Sequence, residues 1–375
     1  MDWAMALAAT EGEVTPTAVV DEVAMERNLE RMAELARRAG VSLRPHAKTH
    51  KCRFVARRQL RHGAIGLTVA TLREAECFAA TGLEDLLVAH PPVGGPKLRW
   101  IGELAERVPR LAVAVDDLDL AAALPASVMV LWEVDSGLHR LGTPPGPQTA
   151  EAVLRLVDRI GPDRVRGLLT HGGHAYAARG LEQRRRAAEE EVEALRASAA
   201  ALRDQGLSLQ VLSIGATPTV GMVPDLEGIT EVRPGTYVFG DANQVALGSH
   251  PLEDCAFGVV ATVVSTPAPD RAVIDAGSKA LSNERLVHGL SGLGIVLGRP
   301  HLRLDRLSEE HGVLSAPEGR TGLRVGDRVV VVPTHACPTV NLHPRMLFFA
   351  PGGAHWEAVE ARGWTPTTNL DRTGG

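Results

Sequence analysis

Lysine is scarce in this chain of 375 residues. Only four of the 40 basic side chains are lysines, and the other 36 are arginines. The lysines are Lys48, Lys51, Lys97 and Lys279. Lysine can lose its proton and act as a base or form a Schiff base, whereas arginine stays protonated. A lysine retained in such a chain is therefore a candidate for chemistry that a guanidinium cannot perform. We expect this of Lys48, and we interpret Lys97 as a chance survivor.

Cysteine and long apolar runs are sparse too, and their absence excludes whole classes of protein. The four cysteines are widely separated and form no CxxC pair, which argues against a disulfide framework. No apolar run approaches the roughly 18–20 residues of a membrane span. The first ten residues carry an acid at Asp2 and no basic stretch, unlike a secretory signal. We therefore expect a cytoplasmic protein that has no membrane partner.

Positive charge is not in excess either. The formal net charge is −5 and the isoelectric point is near 6.3, so the chain lacks the basic footprint of a nucleic-acid-binding protein. The apolar fraction of 45% and the charged fraction of 23% are those of an ordinary globular protein. At this length we expect two domains or one large domain.

Short β-type runs alternate with helical stretches through the first two thirds of the chain. The helical pattern at 21–39 ends at Gly40, where a C′ glycine belongs. Eight β-type runs alternate with such stretches and indicate a (β/α)8 barrel at 21–248. The runs lie at 41–45, 65–70, 86–90, 111–115, 128–134, 166–171, 209–214 and 229–233. A doubly wound sheet is the competing fold, but no GxGxxG motif follows the first run.

The pattern changes after about residue 248. The stretches 257–265, 271–275 and 328–332 are β-rich, and Gly, Pro and Asp turns separate them. We predict a mostly-β domain at 249–375. The segment 14–20, before the first helix, is expected to add a strand to it, so that residues 1–20 belong with this domain.

A dense basic cluster follows the first predicted barrel strand. Two lysines, two histidines and an arginine lie within the eight residues RPHAKTHK at 44–51. Nearby cations lower the pKa of a lysine and so favour the neutral amine that a Schiff base requires. Catalytic residues gather at the carboxyl ends of strands in such barrels, which makes Lys48 a candidate nucleophile. The alternative is a solvated basic loop.

Two Gly/Thr-rich segments follow the seventh and eighth predicted strands. GATPT begins at Gly215, and RPGTY begins at Arg233. Small residues before a helix can bind a phosphate on backbone N–H groups, and barrels commonly use these two loops for that purpose. Ordinary turns are the alternative for either segment alone.

A His-x-Cys pair, His335 and Cys337, follows the predicted strand at 328–332. Imidazole and thiolate suit Zn²⁺, and two ligands leave open positions for water or substrate. The alternative is a packed histidine beside an inert buried cysteine.

Taken together, these clusters resemble the D-serine dehydratase/D-threonine aldolase family. The matching stretches run in family order over nearly the whole chain. They are RPHAKTHK at 44–51, TVATLREAE at 68–76, WEVDSGLHRLG at 132–142, GLLTHGGHAY at 167–176, SIGATPT at 213–219, TEVRPGTYVFGD at 230–241, DAGSKALS at 275–282, LSEEHG at 307–312 and PTHACPTVNLH at 333–343. The resemblance implies a fold type III enzyme that uses pyridoxal 5′-phosphate (PLP) and forms a homodimer.

By that resemblance, Lys48 forms the internal aldimine with PLP. Arg140 would contact the 3′-oxygen of the cofactor, and Arg233 would face its pyridine nitrogen. The phosphate would be held by Gly215, Thr217, Gly235 and Thr236. Family members often have serine where this chain has Ala216, so one phosphate contact is missing here.

The resemblance also places His335 and Cys337 on the metal ligands of the family. His174 and Tyr176 are candidates for proton transfer or for the pocket wall, and a structural strand-end pair is the alternative. The expected reaction is dehydration of a D-β-hydroxy amino acid, such as D-serine or D-threo-3-hydroxyaspartate, to a 2-keto acid and ammonia. Family aldolases resemble one another in carrying His-x-Asp, so Cys337 favours a zinc-dependent dehydratase.

Three other functions stay open. The first is retro-aldol cleavage to glycine and an aldehyde, with Mn²⁺ or Mg²⁺ as the metal and His174 as the candidate base. The second is racemization, which normally needs a tyrosine base from the partner's β domain. The chain has only Tyr176 and Tyr237, both within the predicted barrel, which disfavours it. The third is a PLP-carrying protein without enzymatic activity, but such proteins usually consist of the barrel alone.

Overall fold

The structure is a computed structural model, and it describes residues 1–284, 287 and 289–365. The chain divides into two compact units. We call them the barrel unit and the β unit. The barrel unit comprises 32–48, 53–235 and the described residues from 361, and the β unit comprises 1–31, 49–52 and 236–360. The predicted limits of 21–248 and 249–375 stay predictions.

The strands and helices of the described residues follow the predicted order. The strands are β1 (Thr17–Asp21), β2 (Ser42–Leu43), β3 (Leu67–Val69), β4 (Asp85–Val88), β5 (Arg110–Val115), β6 (Met129–Glu133), β7 (Val165–Leu169), β8 (Val211–Ile214), β9 (Glu231–Val232), β10 (Phe257–Ala268), β11 (Arg271–Ile274), β12 (Gly294–Val296), β13 (Arg303–Leu307), β14 (Gly312–Ser315), β15 (Arg328–Pro333), β16 (Arg345–Ala350) and β17 (Gly353–Ala358).

The helices alternate with the strands in the first two thirds of the chain. They are α1 (Trp3–Ala9), α2 (Glu22–Arg38), α3 (Arg53–Arg61), α4 (Leu72–Ala79), α5 (Gly95–Ala105), α6 (Leu118–Ala123), α7 (Pro147–Ile160), α8 (Leu181–Asp204), α9 (Ala242–Ala246), α10 (Ser278–Leu281) and α11 (Ala336–Leu342). Short 3₁₀ turns lie at Pro162–Arg164, Gly173–Ala177, Thr236–Val238 and Leu252–Asp254. Among residues 1–284, 287 and 289–365, no helix is both long and apolar enough to cross a membrane.

In the barrel unit, eight parallel strands form one curled sheet in the order β2-β9-β8-β7-β6-β5-β4-β3. The two ends meet at a parallel bridge between His46, just after β2, and Thr68 of β3. There the Ala47 N–H donates to the carbonyl of Thr68 at 2.8 Å. The predicted (β/α)8 architecture is confirmed, including all eight strand positions.

Local signals in the sequence explain where the helices begin and end. Asp21 accepts a hydrogen bond from the Ala24 N–H at 3.0 Å and so caps the start of α2. Gly40 follows the same helix with a φ of 67°, the left-handed conformation that glycine adopts without strain. The predicted helix at 21–39 is thereby confirmed.

The barrel interior contains a buried charge network as well as an apolar core. The Arg44 side chain is 1% exposed and binds Asp85 at 2.6 Å and Glu231 at 2.7 Å. Arg166 reaches the same Asp85 at 3.1 Å. A buried guanidinium is tolerated only where carboxylates compensate its desolvation, so these residues form one interdependent group.

The β unit is a nine-stranded sheet in the order β13-β14-β11-β10-β1-β16-β17, with β15 paired to β10 and β12. Strand β1 pairs antiparallel with β10 and parallel with β16. Strand β1 overlaps the segment 14–20, from which a strand was expected. Aliphatic and aromatic side chains such as Val19, Val260 and Phe349 form its core.

Candidate active site

A cavity of about 400 Å³ opens at the carboxyl ends of the barrel strands. Half of its lining residues end a strand or directly follow one, and the rest lie on the loops beyond the strands. The lining residues are His46, Lys48, Ala70, Ala89, His90, Glu133, Arg140, Leu141, Leu169, His171, Gly215 and Arg233. Parallel strands present their carboxyl ends at one edge of a sheet, so segments far apart in sequence meet here. Among the predicted site residues, it collects Lys48, Arg140, Gly215 and Arg233.

The cavity is cationic, and its histidines are neutral. Removal from solvent, together with the charge of Lys48, lowers the pKa of His171 to about 3. The same two causes hold the pKa of His46 well below its usual value. The His171 Nδ1–H therefore donates to the Gly215 carbonyl at 3.1 Å. The positive charge of the lining is left to Lys48, Arg140 and Arg233.

Arg233 is held by neutral groups. Its guanidinium donates to the hydroxyl of Ser213 and to the carbonyl of Thr170. The Ser213 hydroxyl in turn donates to Glu231 at 2.6 Å. Among the described residues, Arg233 thus reaches a carboxylate only through Ser213, while Glu231 is bound to Arg44. Burial lowers the pKa of Arg233, which nonetheless stays a cation at neutral pH.

The glycine at position 215 is required by close backbone packing. Its φ is 136°, and a Cβ there would lie 2.6 Å from the Arg233 nitrogen. Its N–H donates to Glu191 at 3.2 Å, and the Ala216 N–H donates to the Thr219 hydroxyl at 3.2 Å. Both amides are therefore already satisfied by the protein.

The other predicted phosphate-binding residues lie outside the cavity lining. Thr217 is 7% exposed. The N–H groups of Gly235 and Thr236 donate to no acceptor among the described residues. These two amides are available to an anionic ligand.

His174 and Tyr176 lie on the 3₁₀ turn after β7 and do not line the cavity. The His174 Nε2 lies 3.1 Å from Glu190, and its Nδ1 is buried without a hydrogen-bond partner among the described residues. His174 thus pairs with Glu190 at the surface, and its role in proton transfer stays a prediction.

In the β unit, His335 and Cys337 lie at the start of α11. The His335 Nδ1 lies 2.5 Å from Glu284, and the Cys337 sulfur lies 3.3 Å from the Thr49 hydroxyl and 3.9 Å from that of Thr236. No group of three or more His, Cys, Asp or Glu side chains arranged for a metal occurs among the described residues. A metal here would therefore have open coordination positions.

Asp241 anchors this histidine–cysteine segment. It is fully buried, caps α9 through the Gln244 N–H at 2.9 Å, and accepts the Ala336 N–H at 3.0 Å. One carboxylate thus fixes two turns of the β unit. Burial raises its pKa, and the charge of His335 acts against that rise, as do the backbone N–H groups of Ala336, Gln244 and Asn243.

Sequence reasoning missed three acidic residues around the sites. Glu133 lines the cavity, Glu191 binds the Gly215 amide, and Glu284 binds His335. For Glu133 a signal exists in the sequence, since it ends the apolar run VMVLW. Glu191 looks like any other acid of a charged helix, and Glu284 like any loop acid.

Comparisons with known proteins place the chain in a family. The alanine racemase N-terminal domain model matches residues 20–243, and a serine dehydratase domain model matches residues 256–349. D-threo-3-hydroxyaspartate dehydratase of Delftia sp. strain HT23 is 35% identical, covering 93% of this chain and 98% of that enzyme. D-threonine aldolase of Arthrobacter sp. is 32% identical, covering 94% and 93% respectively.

Solved structures agree. That of the Delftia dehydratase has a TM-score of 0.85 at 34% identity and covers 94% of this chain and 98% of its own. Two others are of D-threo-3-hydroxyaspartate dehydratase with a cysteine changed to alanine, in the metal-free form, and with a histidine changed to alanine. The similar proteins are dehydratases and aldolases, and the family implies a PLP-dependent enzyme. The chain therefore belongs to the D-serine dehydratase/D-threonine aldolase family of fold type III lyases.

Proposed function

We propose that this protein is a PLP- and zinc-dependent dehydratase, which converts a D-β-hydroxy amino acid to a 2-keto acid and ammonia. D-Serine and D-threo-3-hydroxyaspartate are the candidate substrates. The observation that carries the proposal is the strand-end cavity, where the lysine of the HAKTHK motif meets two arginines and two neutral histidines. The similarity to the Delftia dehydratase over nearly the whole chain supports it.

The residues of the cavity fit PLP. Lys48 supplies the amine that carries the cofactor, Arg140 supplies a cation for its 3′-oxygen, and Arg233 supplies one for its ring nitrogen. The N–H groups of Gly235 and Thr236, which have no acceptor in the described part of the chain, suit its phosphate, as does Thr217. The Gly215 amide is bound to Glu191, so Gly215 contributes by allowing the close approach of the backbone at Arg233.

Bound PLP makes the α-proton of an amino acid acidic by withdrawing electrons from Cα. Lys48 is the base in this proposal, and its Nζ removes the Cα proton on the face where it lies. Arg233 is a permanent cation that donates hydrogen bonds and has no proton to give, so it leaves the ring nitrogen unprotonated. The neutral His46 and His171 line the cavity without adding positive charge to it.

The donor set of His335 and Cys337 fits zinc, because a thiolate and an imidazole are its preferred ligands. Glu284, bound to the His335 Nδ1, is the carboxylate that commonly orients a ligating histidine. The histidine and cysteine changed in the solved dehydratase are two positions apart, as His335 and Cys337 are. A zinc ion there supplies Lewis acidity for the loss of the β-hydroxyl.

The alternative is metal-dependent retro-aldol cleavage to glycine and an aldehyde, with Mn²⁺ or Mg²⁺. The 32% identity to D-threonine aldolase favours it. Cys337 argues against it, because family aldolases are expected to carry aspartate there. The proposed aldolase base, His174, pairs with Glu190 outside the cavity lining. Racemization is disfavoured further because Tyr237 is only 3% exposed.

The decisive experiment is an assay with D-serine, D-threonine and D-3-hydroxyaspartate, with each L-enantiomer as the control. Ammonia and a 2-keto acid in equal amounts are the expected products. Glycine as the main product would refute the dehydratase assignment and support the aldolase assignment. Metal analysis of Cys337→Ala should show loss of zinc, and unchanged zinc would refute the metal site.

The homodimer and the cytoplasmic location complete the proposal, and the limits of the two domains at 21–248 and 249–375 belong to it. The homodimer rests on the family alone. Sedimentation of the holoenzyme at two concentrations tests it.

A further inference from the structure

Glu133 is a carboxylate inside the candidate active site that the proposed reaction leaves without a role. It is the last residue of β6, is 5% exposed and lines the cavity. Among the described residues, its side chain has no hydrogen bond and no ion pair. Its carboxylate lines the cavity, where a cationic group can reach it, and the burial of the residue makes its negative charge costly while no such group is bound.

Two arginines line the same cavity, and only one is available to Glu133. Arg233 is committed to the Ser213 hydroxyl and the Thr170 carbonyl. Arg140 has no hydrogen bond or ion pair among the described residues. Burial raises the pKa of Glu133, and the charge of Arg140 is the largest influence that opposes it.

The backbone returns to the end of β6 three residues after Arg140. The Thr143 N–H donates to the Glu133 carbonyl at 3.1 Å, and the Asp135 N–H donates to the Thr143 carbonyl at 2.9 Å. These bonds close a loop of residues 133–143, which carries Arg140. Gly142 makes the closure possible, because a Cβ there would lie 2.6 Å from the Asp135 nitrogen.

The sign of the charge decides what Glu133 can bind. A PLP-bound amino acid brings a phosphate and a carboxylate, and an ionised Glu133 repels both. A guanidinium between Glu133 and the ligand removes this repulsion. Its five N–H donors can bind a carboxylate on one edge and a ligand oxygen on another. Arg140 has both edges available.

We propose that Glu133 is a positioning residue, which binds the guanidinium of Arg140 and so fixes the cation that contacts the cofactor. The inference rests on the proposed function, because it needs PLP in this cavity. It predicts that Glu133 lowers the stability of the apoprotein and increases the affinity for PLP. A residue that only supports the barrel would stabilise both forms.

The test compares Glu133→Gln with the wild type in two measurements. The first is titration of each apoprotein with PLP, followed by the absorbance of the bound cofactor. We expect Glu133→Gln to bind PLP about tenfold more weakly, with a shifted absorption maximum, since one charge-assisted contact is lost. The second is urea unfolding of the apoproteins, where Glu133→Gln should be at least as stable as the wild type. Glu103→Gln, an exposed acid on α5, controls for net charge.

Arg140→Ala provides the second variant. Arg140 is exposed, so this variant should fold even if Glu133→Gln does not. The two changes should be non-additive, and the double variant should bind PLP about as weakly as Arg140→Ala. Unchanged PLP affinity and spectrum in Glu133→Gln, or additive losses, would overturn the inference and leave the proposed function intact. A wild-type protein that binds no PLP would overturn both.

Discussion

Replacing Ser213 by alanine tests the link between the barrel interior and the cofactor cavity. The Ser213 side chain is fully buried and lies between two charged groups, accepting a bond from Arg233 and donating one to Glu231 at 2.6 Å. Hydrogen bonds to charged groups contribute about 1.5–3 kcal/mol each. Arg233 keeps the Thr170 carbonyl and Glu231 keeps Arg44, so part of the loss is recovered. We expect Ser213→Ala to lower the free energy of unfolding by about 3 kcal/mol.

Ser198 offers a matched control for this substitution. It is also fully buried, and its hydroxyl also makes two hydrogen bonds, but both partners are neutral backbone groups, the Ala194 carbonyl and the Gly146 amide. Such bonds contribute about 0.5–1.5 kcal/mol each, and alanine gains some helix propensity in α8. We expect Ser198→Ala to cost about 1 kcal/mol.

The assay is urea unfolding of the apoproteins, followed by circular dichroism. PLP affinity should fall as well in Ser213→Ala, because the guanidinium of Arg233, which we propose faces the cofactor, loses one of its two fixed contacts; it should be unchanged in Ser198→Ala. If Ser213→Ala costs no more than Ser198→Ala, the hydroxyl does not connect the two charges and the assigned network is wrong. A double-mutant cycle with Glu231→Gln should give a coupling energy of at least about 1 kcal/mol.

Three further predictions concern single groups. Lys48→Ala should lose the absorption band of the covalently bound cofactor, and persistence of that band would reject this lysine. Ellman's reagent should titrate one thiol per native metal-free chain, because Cys337 is the partly exposed cysteine while burial raises the pKa of Cys255 far above neutral; Cys337→Ala should titrate none. The depressed pKa of His171, about 3 against about 6.5 when unfolded, means that the apoprotein loses stability as pH falls from 6.5 towards 3. His171→Gln should flatten that decline, and an unchanged slope would count against a neutral His171.

The sequence was most informative where chemistry depends on residue type and position along the chain. Alternating apolar runs and helical stretches predicted the eight barrel strands, because each run must bury a face and each helix must cover it. The scarcity of lysine drew attention to Lys48, and its place after β2 put it at the cavity. Lys279, another of the four lysines, pairs with Glu309 at 2.7 Å and Glu310 at 2.9 Å.

Backbone hydrogen bonding could not be anticipated from the motifs. The GATPT segment suggested amides free to bind phosphate, yet the Gly215 amide donates to Glu191 and the Ala216 amide to Thr219. Nothing local marks Glu191, because it lies 24 positions before Gly215 on a helix rich in charged residues. The helix register points this one acid inward, and the register is set by packing along the whole of α8.

The order of residue types along the chain was sufficient to predict the fold and the family, and it singled out Lys48 as the candidate to carry the cofactor. Which charges share a partner depends on the tertiary structure. Arg44 meets Asp85 from 41 positions away and Glu231 from 187, and Ser213 lies between Glu231 and Arg233. Such neighbours arise because a closed parallel barrel aligns the carboxyl ends of strands from distant parts of the chain. The cost of burying a charge then favours arrangements in which the charges are paired, and Arg44 with its two carboxylates is such an arrangement.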